Sequence, residues 1–112
     1  MEQTVKFLKV LSDRNRIRVI KLLSARKMCV CELAYILKIT QPAVSRHIKR
    51  MKDVGLIAEE QDGLWTNYYL VKNAEYMKGI GPWLNQRVNG DKQLKDDIKR
   101  LEKVDKTKLC CE

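Results

Sequence analysis

Cys29 and Cys31 stand one residue apart, and thiolates are soft ligands that suit trivalent arsenic or antimony, Cd, Pb, Cu(I) and Zn. The pair opens a predicted short helix over residues 30–37, next to Arg26 and Lys27. A helix N-terminus and two neighbouring cations favour the reactive thiolate. In regular helix, side chains two residues apart point about 200° away from one another. The two sulfurs therefore cannot hold one small ion unless that turn unwinds.

A second group of residues has the chemistry of duplex recognition. Placed at about 100° per residue, residues 41–54 separate into two faces. Val44, Ile48, Met51 and Val54 share one, with His47 on its border; Gln41, Ser45, Arg46, Lys49 and Lys52 share the other. Gln41, Ser45 and Arg46 fall in the N-terminal part, which helix-turn-helix proteins insert into the major groove. Gln suits adenine there and Arg suits guanine. Lys49, Arg50 and Lys52 lie further along and are assigned to phosphates. His47 reads equally as a packed, hydrogen-bonded core side chain and as a DNA contact.

These groups need elements to position them. Val5, Phe7, Leu8 and Leu11 predict a first helix over residues 3–11. Ser12-Asp13 starts a second, with Ile17, Ile20, Leu22 and Leu23 as its stripe, ending near Ser24. Val30, Leu33, Ala34 and Leu37 mark the third. Lys38-Ile39 is a tight connection; Thr40 caps the fourth, Pro42 sits in its first turn and Gly55 stops it. The period then changes. Residues 56–61 and 64–70 read as strands around Asp62-Gly63, a strong hairpin signal. Tyr76, Met77, Ile80, Trp83, Leu84 and Val88 predict a helix that Gly79, Gly81 and Pro82 break or kink. Leu94, Ile98, Leu101 and Val104 give a narrow apolar stripe on a charged last helix. The expected fold is mainly α with a β-hairpin wing, a winged helix-turn-helix: residues 30–37 and 41–54 form the two-helix unit and residues 56–70 the wing. Residues 1–104 form the domain and 105–112 a polar tail carrying Cys110-Cys111.

The 112-residue chain carries 23 Lys and Arg against 14 Asp and Glu, a net charge of +9. All of that excess lies in residues 1–54, where 13 basic residues face 4 acidic ones. Such asymmetry points to a polyanionic partner. No apolar run approaches the roughly 20 residues that span a bilayer, and the N-terminus lacks a signal-peptide apolar block. The expectation is a cytoplasmic chain with reduced thiols and no membrane partner. An enzyme is not expected. Cys-x-Cys is not the Cys-x-x-Cys of thiol oxidoreductases, no Gly-rich phosphate loop occurs, and the single His has no partner motif.

Three sequence pieces carry a family resemblance. They are Leu11-Ser12-Asp13 with Arg16-Ile17 and Leu22-Leu23; Cys29-Val30-Cys31-Glu32-Leu33; and Gln41-Pro42-Ala43-Val44-Ser45-Arg46-His47-Ile48 with Gly55-Leu56-Ile57. Gly63 and Tyr68-Tyr69-Leu70 close the wing. Over roughly residues 5–104 the chain resembles the ArsR/SmtB family of metal- and metalloid-responsive repressors, nearest the arsenite-responsive type. The resemblance implies a homodimer through the first and last helices that binds an inverted-repeat operator and releases it on binding its inducer. Phe7, Leu8 and Leu11 would meet Trp83, Leu84, Leu94, Ile98 and Leu101. The implied inducer is trivalent arsenic or antimony held by Cys29 and Cys31, with no cofactor required; Cd, Pb or thiol oxidation is the alternative signal. Arsenite-responsive members have a third Cys in the same helix, where Ala34 stands here. Either Cys110 and Cys111 supply the missing ligand, or the site is two-coordinate and suits a methylated arsenical. The C-terminal zinc site of other members is not expected, because residues 91–104 supply Asp91, Asp96, Asp97 and Glu102 but no His. One departure concerns the wing, where Glu59-Glu60-Gln61-Asp62 would repel phosphate and leave only Gly63 and nearby backbone to meet DNA.

Overall fold

The computed structural model describes residues 1–71 and 75–104, the side chain of Tyr76 excepted. Six helices and one hairpin follow in the order α1 (Glu2–Leu11), α2 (Arg14–Ala25), α3 (Val30–Leu37), α4 (Gln41–Asp53), β1 (Ile57–Asp62), β2 (Trp65–Leu70), α5 (Glu75–Val88) and α6 (Lys92–Glu102). This is the winged helix-turn-helix that the sequence predicts.

Polar residues set the helix starts. The Asp13 carboxylate accepts the Arg16 N–H at 3.1 Å, the Thr40 hydroxyl accepts Ala43 N–H at 3.2 Å, and Asp91 accepts Leu94 N–H at 3.2 Å. Each cap contributes about 1 kcal/mol. The α3–α4 turn depends on Lys38, which adopts a left-handed conformation at φ 60° while its N–H and that of Ile39 both close on the Ala34 carbonyl. Such turns often use glycine at this point.

The hairpin is antiparallel, pairing Ile57 with Leu70 through Asp62 with Trp65. Its two-residue loop is therefore Gly63-Leu64, one residue later than a turn centred on Asp62-Gly63. Gly63 takes the first loop position at φ 61°, and a two-residue loop with glycine first is one of the two favoured hairpin turns. Met28 adds a third rung beside β2: its N–H donates to the Tyr68 carbonyl at 3.1 Å and its carbonyl accepts Tyr68 N–H at 2.8 Å.

The core draws on every layer. Phe7 and Leu11 from α1, Val19, Ile20, Leu22 and Leu23 from α2, Leu33, Ile36 and Leu37 from α3, and Val44, Ile48 and Met51 from α4 meet Leu56, Ile57 and Leu101. The expected dimer set divides accordingly. Phe7, Leu11, Leu84 and Leu101 are buried inside the protomer, whereas Leu8, Trp83 and Ile98 stay exposed, together with Val5. The predicted break in α5 is absent: the helix runs without interruption through Gly79, Gly81 and Pro82. Pro82 and Lys78 lie on the exposed side, so the carbonyl that the proline leaves unpaired faces water.

A buried charge cluster ties the C-terminal helix to this frame. Asp97 is fully buried and Arg18 is 5% exposed. Arg18 Nε and Nη2 each donate to the Asp97 carboxylate at 2.8 Å, and Arg100 Nη2 donates to the same group at 2.8 Å. The two arginines also reach the C-terminal carbonyls of α3, Arg18 to Leu37 at 3.3 Å and Arg100 to Ile36 at 2.8 Å. One carboxylate thus clamps α2, α6 and the end of α3.

Candidate nucleic-acid interface and thiol turn

The faces of α4 separate as expected. Val44, Ile48 and Met51 are buried against the core. Gln41, Ser45, Arg46, Lys49, Arg50 and Lys52 are exposed, and His47 is half-buried at the boundary. Burial holds the His47 imidazole below its ordinary range, against the opposing pull of Asp13 and with smaller pushes in the same direction from Arg16, Arg46 and Arg50. At pH 7 the side chain is therefore neutral and brings hydrogen-bonding capacity to this surface rather than charge.

The wing carboxylates do not simply face outward. Glu59 pairs with Lys52 of α4, and Glu60 pairs with Lys27. Each carboxylate raises its partner lysine above the ordinary range, by hydrogen bond and by charge. The acidic run thus draws in two lysines of the basic half as well as opposing phosphate.

The segment between α2 and α3 holds the thiols. Cys29 is the N-cap of α3, with extended backbone at φ −91°, ψ 171°, and only Cys31 lies within the helix. The 200° argument for two helical residues therefore does not apply to this pair. Their surroundings separate them instead. Cys29 is 4% exposed and counts among the core residues, while Cys31 is half-exposed. Cys29 and Glu32 close a reciprocal capping box, in which Glu32 Oε1 accepts the Cys29 N–H at 3.1 Å. Glu32 is itself 1% exposed and forms an ion pair with Arg26 at 2.9 Å. Arg26 and Lys27, expected to act on the thiols, are thus engaged by Glu32 and Glu60. Cys31 Sγ accepts a hydrogen bond from Gln41 Nε2 at 3.6 Å. Cys110 and Cys111 lie outside the described residues.

The structure gives roles that the sequence does not mark: Arg18, Asp97 and Arg100 occupy polar positions of amphipathic helices, and Asp97 reads there only as one more carboxylate. Glu32 was legible in principle, since Cys29-x-x-Glu32 has the spacing of a capping box with sulfur in the oxygen's place.

Comparison with known proteins follows this architecture. Residues 13–59 match the family described as "Bacterial regulatory protein, arsR family". The "Arsenic resistance transcriptional regulator ArsR2" of Pseudomonas putida is 32% identical over 109 residues, covering 92% of this chain and 93% of that one. A "Cadmium resistance transcriptional regulatory protein CadC" of Listeria innocua is 32% identical over 72 residues, covering 63% of this chain and 60% of that one. Among solved structures, a homodimeric winged helix-turn-helix domain from Mycobacterium bovis superposes with a TM-score of 0.67 at 16% identity, covering 80% and 83% of the two chains.

Proposed function

This chain belongs to the arsR family of bacterial regulatory proteins, which are DNA-binding transcriptional regulators and not enzymes, and from that premise we propose that it is a repressor released from its operator by trivalent arsenic or antimony. It binds duplex DNA as a homodimer, with Gln41, Ser45, Arg46 and the neutral His47 at base edges and Lys49 and Arg50 at phosphates. Two recognition helices about one DNA turn apart match a palindrome.

The observation that carries the inducer assignment is the position of the thiols. Cys29 caps the first helix of the helix-turn-helix unit, and Cys31 lies one residue inside it. Each thiol displaces one hydroxide from arsenous acid, forming an S–As bond and releasing water. Arsenic bound by both sulfurs would engage the Cys29 sulfur, which serves the capping box of α3. The first turn of α3 then loses its cap, and α4 loses the platform that aims it. Cys110 and Cys111 supply a third ligand, or the site stays two-coordinate and takes a methylated arsenical.

The test is fluorescence anisotropy of the reduced protein on DNA from upstream of its own gene, titrated with arsenite. The expected result is release at micromolar arsenite, retained when Cys110 and Cys111 are both serine if the site is two-coordinate. Cys29→Ser should bind DNA but ignore arsenite. Tight binding that ignores arsenite but yields to Cd or Pb would favour the second reading, which the likeness to a cadmium-resistance regulator supports.

A further inference from the structure

We propose that Gln41 is the relay between the thiol turn and the DNA-reading helix, its carboxamide oriented for base recognition by the sulfur of Cys31 and set loose when that sulfur is ligated or modified. The inference rests on the repressor reading above, and names the contact through which α4 senses a change on α3.

Gln41 is the first residue of α4, and Cys31 is the second of α3, ten residues earlier. Their side chains nonetheless meet, Gln41 Nε2 donating to Cys31 Sγ at 3.6 Å, a normal separation for an acceptor as large as sulfur. The contact lies at the surface. Cys29, by contrast, is buried behind its capping box, so Cys31 is the thiol that a reagent meets first.

A carboxamide has two N–H donors and one oxygen. Bidentate pairing with adenine uses the oxygen and the N–H beside it, reaching N6 and N7. The other N–H is free to bind the sulfur. The two interactions are therefore compatible, and the sulfur fixes in advance the rotation of an exposed side chain that otherwise samples several rotamers. Fixing it before DNA arrives lowers the ordering cost of recognition. A thiolate acceptor would strengthen the hold, since charge-assisted hydrogen bonds are the stronger ones. Ligation reverses this. When arsenous acid condenses with the Cys31 thiol, an S–As bond forms, an As–OH bond breaks, and the thiol proton leaves with the hydroxide as water. The arsenic and its remaining ligands then occupy the open side of the sulfur, where the Gln41 amide lies. The release signal thus reaches a base-reading side chain directly, in addition to any unwinding of α3.

The decisive experiment needs no arsenic. The full chain with Cys110 and Cys111 changed to serine is treated with methyl methanethiosulfonate, which converts the Cys31 thiol to a methyl disulfide and releases methanesulfinic acid. Mass spectrometry confirms a single adduct at Cys31. Anisotropy on the upstream DNA then compares modified with unmodified protein, in this background and in the same background carrying Gln41→Ala. We expect modification to weaken binding about fivefold with Gln41 present, the scale of one lost hydrogen bond, and less than about twofold in Gln41→Ala, whose starting affinity is already lower. Equal losses in the two proteins overturn the relay. If Gln41→Ala binds too weakly to compare, the Gln41 side-chain amide resonance of DNA-free protein decides. It should shift on modification, and a fixed resonance overturns the proposal. A parallel arsenite titration separates the relay from the repressor reading. Thiol ligation with the same release factor in Gln41→Ala and its parent removes the relay alone. Absence of ligation, with the methyl disulfide effect intact, removes the arsenic reading and leaves the relay standing.

Discussion

At the scale of single residues, the reach of the basic side chains proposed to meet DNA is set by their intramolecular partners as much as by their positions. Lys52 points from α4 toward the wing, and Glu59 holds it there. A phosphate must displace that carboxylate to recruit the lysine. Glu59→Gln should therefore raise DNA affinity about two- to fivefold at low salt and steepen the salt dependence by about one unit, the signature of one added phosphate contact. Anisotropy across a salt series measures both, and an unchanged slope would show that Lys52 never reaches the backbone. His47 gives a pH prediction. Its folded-state pKa lies below the ordinary 6.5 of the unfolded chain, so the unfolded state takes up the proton first as pH falls. The stability that depends on neutral His47 is complete above 6.5 and is lost as pH falls through the window beneath it. His47→Gln should flatten the decline in urea midpoint between pH 7 and 5.5; an identical decline in both proteins would locate the effect elsewhere.

At the scale of elements, α3 is held at both ends: the Cys29–Glu32 capping box closes its start, and Arg18 and Arg100 take the carbonyls of its last turn. Asp97 pairs with both arginines. Asp97→Ala should cost about 3–5 kcal/mol, because it strands the buried Arg18 guanidinium, and chemical denaturation should show the loss. A cost below about 1 kcal/mol would mean that Arg18 finds water instead. This cluster marks the limit of what the chain discloses locally. The bounds of α3 were legible because its apolar spacing begins and ends abruptly, the start of α4 because Thr40 and Pro42 mark it, and the exposed and buried faces of α4 because the helical period sorts them. Arg18 and Asp97 were not. Each looks like one more polar position on a charged helix, and their partnership spans 79 residues. The Gln41–Cys31 contact is hidden similarly, since the spacing of each residue marks its own helix and not their meeting across the turn. Gly79, Gly81 and Pro82 do not break the helix, because a proline on a solvated face leaves its orphaned carbonyl to water and the helix continues.

At the scale of the whole molecule, the apolar surface left over bears on the proposed dimer. Val5 and Leu8 on α1, Trp83 on α5 and Ile98 on α6 remain exposed, while the other expected dimer residues described here are wholly or partly buried by the protomer itself. Leu8→Glu with Ile98→Glu should shift the protein toward monomer in sedimentation velocity, without altering its helical circular dichroism, and weaken operator binding at least tenfold by separating two half-site contacts. A dimer that survives both changes would place the interface elsewhere. The same scale bears on how far the reading head can be moved. The family match ends at residue 59, which suggests a module to be lifted into another protein. Asp97, which neutralises Arg18 inside that stretch, and Leu101, which helps cover its core, both lie outside it. A transplant ending with the wing would carry an arginine without its counter-charge and an uncovered apolar floor. Grafting this recognition unit onto a foreign scaffold requires replacing Arg18 or bringing the last helix along.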